Sequence, residues 1–327
     1  MPSLTTDHPT REDVLDAALR LTGQAVRTPL LNTAVLDERV GRTVLLKAEC
    51  LQRTGSFKFR GAFNAVAQIP EARRGAGVVA PSSGNHAQGL AEAARLHGMA
   101  CTIVMPSDAP AMKIARTEAL GATVRTYDRL REDRLAIAEA IARDTGATMV
   151  PPFDHPHVIA GQGTCGLEIA EQAVDFGHDV DAVLVCCSGG GLASGIALAM
   201  PDSDVFTVEP AGFDDMARSL ASGRRERNME AGGSICDALL VATPGELTFS
   251  IARERFAGGL AVSDAEALDS VRFAFEELKL VVEPGGAVAL AAVLANRLPE
   301  RHRTVAVVLS GGNVDPALFA RTITKAP

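Results

Sequence analysis

Short apolar segments rich in β-branched residues alternate with amphipathic or small-residue segments along most of the chain. The apolar segments predict buried strands and read VLLKAE, GVVAP, ACTIVMP, ATVRTY, DAVLVCC, DVFTVEP and TVAVVLSGG. The segments between them predict helices at 86–97, 110–120, 132–145, 192–200 and 264–278. Continuous apolar strands separated by helices predict parallel sheets covered on both faces. In a chain of 327 residues, we expect two such α/β domains with a cleft between them.

The composition agrees with the predicted fold and argues against nucleic acids and membranes as partners. The chain has 32 basic and 40 acidic residues, a net charge of -8, no Trp and one Tyr. Without a basic stripe or aromatic rings to stack on bases, no nucleic-acid partner is expected. The N-terminus lacks the basic and apolar regions of a signal peptide, and the most apolar tract is interrupted at 283–286. We therefore expect no membrane partner and a cytoplasmic location.

Unusual loops follow several of the predicted strands. In open α/β sheets ligands bind at the carboxyl ends of strands, so these loops are the first place to look for chemistry. They read TGSFKFRGA at 54–62, SSGNHA at 82–87, SGGGL at 188–192, EPAGFDD at 209–215 and SGGN at 310–313. Lys58 is unusual because a phenylalanine flanks it on each side. Taken singly, each loop has an ordinary explanation as an N-cap, a turn or a lysine lying over aromatic neighbours.

The SGGGL segment at 188–192 is a candidate phosphate site. Glycines at the start of a helix present successive backbone N–H groups to an anion, although a glycine-rich turn without a ligand gives the same pattern. The segment lacks the Gly-Lys-Ser/Thr of a nucleoside-triphosphate loop. A nicotinamide-dependent oxidoreductase is an alternative, because Glu209 stands where a ribose-binding acid is expected. Ser194 at the third glycine position and Pro210 after the acid weigh against that alternative.

A set of motifs in a fixed order, spread over most of the chain, carries a specific resemblance. The motifs are SFKFRGA, SSGNHAQG, VIAGQGT, SGGGL, VEPAGFDD and LSGGN. Together they resemble those of the fold-type-II pyridoxal-phosphate (PLP) enzymes, within them the group of threonine/serine dehydratases, serine racemases and 3-hydroxyaspartate dehydratases. The resemblance implies two parallel-sheet α/β domains like those of tryptophan synthase β, with PLP in the cleft. We expect a large cofactor-binding domain at 1–75 and 154–327, and a small substrate-side domain at 76–153.

The resemblance also assigns the cofactor-binding residues. Lys58 would hold PLP as an imine, and burial between its phenylalanines would lower its pKa and favour the neutral nucleophile. Phe57 would pack on the cofactor ring and Asn85 would face its phenolic oxygen. Ser310 would face the pyridine nitrogen. The phosphate would lie on the loop formed by Ser188, Gly189, Gly190, Gly191 and Leu192.

These assignments have mechanistic content. A neutral Ser310 hydroxyl cannot keep the pyridine protonated as a carboxylate would, so the ring is a weaker electron sink. Once Lys58 takes the α-proton, loss of a β-leaving group is then favoured, and the products would be a 2-keto acid and ammonia. Ser83 matches the residue that, in the racemases resembled, faces the other side of the α-carbon. We therefore assign catalytic roles to Lys58 and Ser83 and expect some racemase activity.

Substrate choice is less constrained by the sequence. By the resemblance, the substrate carboxylate would be bound by Ser82, Ser83, Asn85, His86 and Gly163. Arg134 matches an arginine that faces the substrate in racemase-like relatives, and a guanidinium there could bind a second carboxylate bidentately. An exposed helix arginine explains the same residue. We predict a dehydratase of small L-β-hydroxy amino acids, with 3-hydroxyaspartate first, and a threonine/serine dehydratase or a serine racemase-like enzyme as alternatives.

The loop at 209–215 matches the divalent-cation site of the racemase-like members. Glu209, Asp215 and the carbonyl of Phe213 are hard oxygen ligands that suit magnesium, calcium or manganese completed by waters. Surface acids on a loop are the alternative explanation. By analogy with the group we also expect a homodimer. A non-enzymatic carrier or sensor that binds PLP remains a further alternative, although intact Lys58, Ser83 and Ser310 oppose it.

Overall fold

The computed structural model describes residues 8–230 and 232–324. The strands are β1 (Leu30–Leu31), β2 (Thr43–Lys47), β3 (Val78–Pro81), β4 (Cys101–Pro106), β5 (Thr123–Tyr127), β6 (Thr148–Met149), β7 (Ala182–Cys186), β8 (Asp204–Pro210), β9 (Phe256–Val262) and β10 (Thr304–Val308). The helices are α1 (Arg11–Leu21), α2 (Ala34–Val40), α3 (Lys58–Ala67), α4 (Glu71–Arg74), α5 (Asn85–Leu96), α6 (Ala111–Ala119), α7 (Arg134–Thr145), α8 (Pro156–Asp175), α9 (Gly191–Ala199), α10 (Asp215–Ser222), α11 (Glu246–Arg255), α12 (Asp264–Glu276), α13 (Pro284–Leu294) and α14 (Pro316–Thr324). Two sheets result, and we call each sheet with the helices packed on it a lobe.

The large lobe is built on a six-stranded sheet in the order β1-β2-β10-β7-β8-β9. Only the short β1 runs antiparallel, against β2, and the other pairings are parallel. One face of the sheet is covered by a buried cluster that includes α12 and α13. The opposite face is covered by a cluster that includes α1, α8 and α9. Burial on both faces explains why these strands are apolar at consecutive positions.

The small lobe is built on a four-stranded parallel sheet in the order β5-β4-β3-β6. Helices α3 and α5 pack with one face of this sheet, and α7 packs on the other. The prediction of parallel α/β sheets in two parts is therefore confirmed. The exact domain boundaries stay a prediction, although the small sheet draws its strands only from 78–149.

One part of the sequence-based assignment needs correction. The ATVRTY segment forms β5, which is largely exposed because it lies at the edge of its sheet, so it is not the buried strand that we expected. The predicted interruption of the apolar tract at 283–286 is present in the structure: residues 277–283 lie outside the helices, and α13 begins at Pro284, since proline at the first position of a helix loses no hydrogen bond. Among the helices that the structure describes, none has the length and apolarity needed to cross a membrane.

Candidate active site

A pocket of about 230 Å³ lies between the lobes, at the carboxyl ends of the parallel strands. It brings together nearly all the side chains and loops that the sequence singled out. The predicted residues that line it are Phe57, Lys58, Ser82, Ser83, Asn85, His86, Arg134, Ser188, Gly189, Gly190, Gly191, Leu192 and Ser310. This position matches the rule that ligands of open α/β sheets bind at the carboxyl ends of strands.

Lys58 begins α3 and directs its amine into this pocket. Its Nζ donates a hydrogen bond to the carbonyl of Pro152 at 2.8 Å and lies 5.0 Å from the centroid of the Phe57 ring. Phe59 packs in the core against Phe63 instead, with ring centroids 5.5 Å apart. Burial lowers the pKa of Lys58 to about 8, because the surrounding protein atoms disfavour the charged amine. The neutral fraction of this amine near neutral pH is therefore much larger than that of an ordinary lysine, although the charged form predominates below about pH 8.

The loop at 82–86 follows β3, includes the first residues of α5, and lines the pocket together with the segment 188–192. His86 is buried, and its Nε2 lies 2.9 Å from the carbonyl of Val150, so Nε2 must carry the proton and donate. Burial and the nearby Lys58 charge lower the pKa of His86 to about 3. Its Nδ1 has no hydrogen-bond partner among the described residues. His86 thus adds a neutral ring with one unused acceptor to the pocket wall.

Asn85 is held by two neighbours at the first turn of α5. Its Nδ2 donates to Oε1 of Glu283 at 2.5 Å, and its Oδ1 accepts from Nδ2 of Asn313 at 2.8 Å. Burial raises the pKa of Glu283 to about 7, although the hydrogen bond from Asn85 partly offsets this rise. Sequence reasoning missed Glu283, and the available signal was a lone acid in an apolar tract, directly before a helix that begins Pro-Gly-Gly.

The phosphate loop, residues 188–192, has the properties that a bound phosphate requires. Gly190 has φ +94° and is the N-cap residue of α9, and because it has no side chain the first backbone N–H groups of that helix are not used by a cap. A Cβ at Gly189 would overlap the Phe153 ring, and one at Gly191 would lie 2.8 Å from Oε1 of Gln162. Only glycines fit here, and a helix N-terminus open to a pocket attracts anions. The residues present therefore fit the phosphate group of PLP.

The acidic loop, residues 209–215, lies beside the phosphate loop and outside the pocket lining. Glu209 is fully buried, and its carboxylate accepts from the backbone N–H groups of Met216 and Ala217 at 3.0 and 2.9 Å. Burial and the Asp215 charge raise the pKa of Glu209 well above its ordinary value. Burial raises the pKa of Asp215 to about 6, and its Oδ2 has no partner in the part of the chain that the structure describes. These residues are therefore not the surface acids of the alternative explanation.

The same described residues contain no group of three or more His, Cys, Asp or Glu side chains that could hold a metal. The predicted cation site offers only two carboxylates and the carbonyl of Phe213, a buried residue. Such a site would need waters for the remaining ligands. A divalent cation consequently stays a prediction.

Gly163 is not where we expected it. It lies in the middle of α8, and a Cβ there would lie 2.6 Å from the carbonyl of Gly195 in α9. Its position away from the pocket lining corrects its assignment to substrate binding. The glycine is required because the backbones of α8 and α9 approach each other closely.

Two further charged residues at the pocket were also missed. Lys113 on α6 and Asp237, in a short turn before α11, both line the pocket and form an ion pair with Nζ and Oδ2 2.7 Å apart. Their separation of 124 residues in sequence explains why no local pattern could have paired them.

The fold and this site together define an α/β enzyme whose cleft can hold a phosphorylated cofactor beside a nucleophilic amine. Residues 21–311 match the family described as pyridoxal-phosphate dependent enzyme. An L-threo-3-hydroxyaspartate ammonia-lyase from Pseudomonas sp is 47% identical, over 94% of this chain and 96% of the relative. A serine racemase from Schizosaccharomyces pombe is 39% identical, over 97% of this chain and 98% of the relative.

Solved structures give the same result. The crystal structure of a threonine deaminase from T.th. superimposes with a TM-score of 0.88 at 44% identity, covering 94% of this chain and 99% of that one. This chain therefore belongs to the family of pyridoxal-phosphate dependent enzymes.

Family membership decides between the alternatives left open by the sequence. The nicotinamide-dependent oxidoreductase is wrong, and the structure gives the reason: both oxygens of Glu209 accept from the start of α10 and do not face the pocket. The non-enzymatic carrier is likewise disfavoured, because the relatives are enzymes, namely ammonia-lyases and a serine racemase.

Proposed function

We propose that this protein is a PLP-dependent ammonia-lyase of small L-β-hydroxy amino acids, with L-threo-3-hydroxyaspartate as its preferred substrate. Water is eliminated first, and hydrolysis of the imine that results consumes a water and releases ammonia and a 2-keto acid. The observation that carries the proposal is the convergence of Lys58, the phosphate loop and the 82–86 loop on one pocket. The similarity to an L-threo-3-hydroxyaspartate ammonia-lyase over nearly the whole chain supports the choice of substrate.

The residues that line the pocket would have three roles: to hold the cofactor, to accept a proton and to orient the substrate. When bound, PLP supplies an electron-withdrawing ring that stabilises negative charge at the substrate α-carbon. The phosphate loop, Phe57, Asn85 and Ser310 would hold it. A neutral Lys58 amine, favoured by its pKa of about 8, can accept the α-proton. The hydroxyls and N–H groups of the 82–86 loop are suited to orient the substrate carboxylate.

Arg134 gives the reason for preferring a dicarboxylate. It begins α7, is exposed, and lines the pocket together with the residues above. A second carboxylate on the substrate would find a guanidinium there, which binds carboxylates through two parallel hydrogen bonds. The methyl group of threonine or the hydrogen of serine offers nothing to such a charge.

The test is the release of 2-keto acid and ammonia by wild type, Arg134→Ala and a control, Arg143→Ala, on each substrate. Arg143 lies on the same helix, is exposed and is not part of the pocket lining. We expect Arg134→Ala to lower kcat/KM for L-threo-3-hydroxyaspartate by about 10- to 100-fold, and to affect L-threonine and L-serine much less. If threonine or serine is the faster substrate and Arg134→Ala changes neither, the enzyme is a threonine/serine dehydratase.

Racemase activity is a second candidate because Ser83, on the 82–86 loop, lines the pocket and because a serine racemase is among the relatives. Chiral separation of the serine recovered from the same assay measures it directly. Conversion of L-serine to D-serine that Ser83→Ala abolishes, while elimination persists, would support this activity.

We further propose that Glu209, Asp215 and the Phe213 carbonyl bind a magnesium, calcium or manganese ion completed by waters. The support is a pair of buried carboxylates, one with an oxygen that has no partner among the described residues. Melting temperatures with and without a chelator test this proposal. A homodimer and a cytoplasmic location also stay predictions.

A further inference from the structure

The ion pair between Lys113 and Asp237 joins the two lobes at the active-site pocket. Lys113 projects from α6, which packs against β5 in the small lobe. Asp237 begins a short turn, Asp237–Leu239, that packs against the start of α13 in the large lobe. Nζ of Lys113 lies 2.7 Å from Oδ2 of Asp237, and both residues line the pocket.

This ion pair contributes little to the stability of the fold, so Lys113 can exchange Asp237 for another anionic partner. The Lys113 side chain is 25% exposed and that of Asp237 is 61% exposed, and ion pairs in contact with solvent contribute little to stability. The pair nevertheless acts on the pocket interior, because its charges shift the pKa of the buried Glu283 in opposite directions. A ligand carboxylate that enters the pocket can therefore replace Asp237 as the partner of Lys113 at small cost.

The charges in the pocket fit a ligand with two carboxylates. Beyond Lys58, the cations among the lining residues are Arg134 and Lys113, and they come from two helices of the small lobe that are consecutive in sequence, α7 and α6. A substrate with only an α-carboxylate has no group for a second cation. In its presence Lys113 would keep Asp237 as its partner.

We propose that Lys113 is a specificity-determining residue whose partner changes on binding: the distal carboxylate of a dicarboxylic amino acid replaces Asp237. This inference rests on the proposed function and adds Lys113 to Arg134 as a second cation for the distal carboxylate. Asp237 then acts as an internal competitor that occupies Lys113 when the ligand has no distal carboxylate. The two members of one ion pair therefore have opposite effects on dicarboxylate binding.

The test uses L-aspartate and L-alanine as probes, measured by isothermal titration calorimetry on the PLP-loaded protein. These ligands differ by the distal carboxylate, and neither carries the β-hydroxyl that is eliminated. Lys113→Met keeps the apolar stem and removes the charge, and we expect it to weaken L-aspartate binding about tenfold more than L-alanine binding. Asp237→Asn removes the competitor, and we expect it to tighten L-aspartate binding about two- to fivefold.

Arg116→Met is the matched control. It removes the same charge from an exposed position of α6 that does not line the pocket, so any effect of net charge appears there as well. If Lys113→Met and Asp237→Asn change the affinity for L-aspartate in the same direction as each other, and change that for L-alanine equally, the inference is wrong. The pair then only holds the two lobes together. Equal losses in Lys113→Met and Arg116→Met would also overturn it.

The outcome is separable from that of the proposed function. Ammonia release from L-threo-3-hydroxyaspartate by wild type tests the activity, whereas the calorimetric selectivity between aspartate and alanine tests Lys113. A protein that discriminates these two ligands through Lys113 but releases no ammonia would retain the inference and reject the activity.

Discussion

The amine of Lys58 differs from that of an ordinary lysine through its surroundings. Its neighbours in sequence, Phe57 and Phe59, indicated desolvation, and the lowered pKa agrees with that expectation. The reason is only partly the expected one, because Phe59 faces the core and the carbonyl of Pro152 contacts the amine instead. That carbonyl lies 94 residues away in sequence, so no local pattern could have revealed it.

The pH dependence of cofactor loading follows from this environment. Only the neutral amine is a nucleophile, and burial lowers the pKa of Lys58 from 10.5 to about 8. The neutral fraction therefore rises as the pH approaches about 8 and is nearly complete well above it. We expect the rate at which the apoprotein binds PLP, followed by absorption between about pH 6 and about pH 10, to level off above a midpoint of about 8.

A lysine analogue free in solution is the control for that experiment. Its rate should keep increasing toward its ordinary pKa of about 10.4, because its amine is fully hydrated. A protein rate that also keeps increasing above about pH 9.5 would show that Lys58 is not desolvated in the apoprotein.

At the scale of elements, the contact between α8 and α9 fixes the position of the phosphate loop. A Cβ at Gly195 would overlap the carbonyl of Ile159 and would lie 2.5 Å from the backbone nitrogen of Gly163. Because both close contacts are to backbone atoms, neither can be relieved by a change of rotamer. The two helices would have to separate, and α9 starts at the glycines of the phosphate loop.

We therefore expect Gly195→Ala to lower the free energy of unfolding by about 1–3 kcal/mol and to weaken PLP binding. Gly75→Ala is the matched control, since Gly75 is exposed, has φ -61°, and would have nothing within 4 Å of an added Cβ. It should leave stability unchanged or raise it by about 0.4–1 kcal/mol. Urea unfolding of both variants measures the difference, and equal stabilities would contradict the close-packing argument.

The same contact explains which elements the sequence could predict. Most strands of the parallel sheets were recognisable because burial on both faces demands apolar runs, whereas β6 and β9, which are only partly buried, were not predicted. Helix α8 was not assigned, since its glycines at 161, 163 and 166 oppose helix formation locally. They are present because α3 and α9 lie too close for side chains, a tertiary requirement that local propensity does not record.

At the scale of the whole molecule, alternation of strands and helices predicted two parallel sheets with the site between them. It could not predict which charges would meet across the cleft, as Lys113 and Asp237 do. The motif order supplied the candidate site residues, nearly all of which line the pocket or lie close to it, but it also assigned Gly163 to substrate binding, because a motif carries no record of which way its residues face.

The proposed divalent cation should act on the stability of the whole chain. Glu209 lies near the end of β8 and Asp215 begins α10, so their carboxylates come together only in the folded protein. An ion that binds only the folded state adds about 2.7 kcal/mol when its free concentration is about 100 times Kd. We expect magnesium, calcium or manganese to raise Tm, and a chelator to lower it.

The variants Asp215→Asn and Asp214→Asn distinguish a bound ion from a general effect of salt. Asp214 is adjacent but pairs with Arg218 at 3.5 Å, so its variant should respond to the ion as wild type does. Asp215→Asn removes a buried carboxylate whose Oδ2 lacks a partner among the described residues, and without the ion it should be at least as stable as wild type. On addition of the ion, wild type should gain stability and Asp215→Asn should not. An equal response of both proteins would show that the buried acids bind no cation.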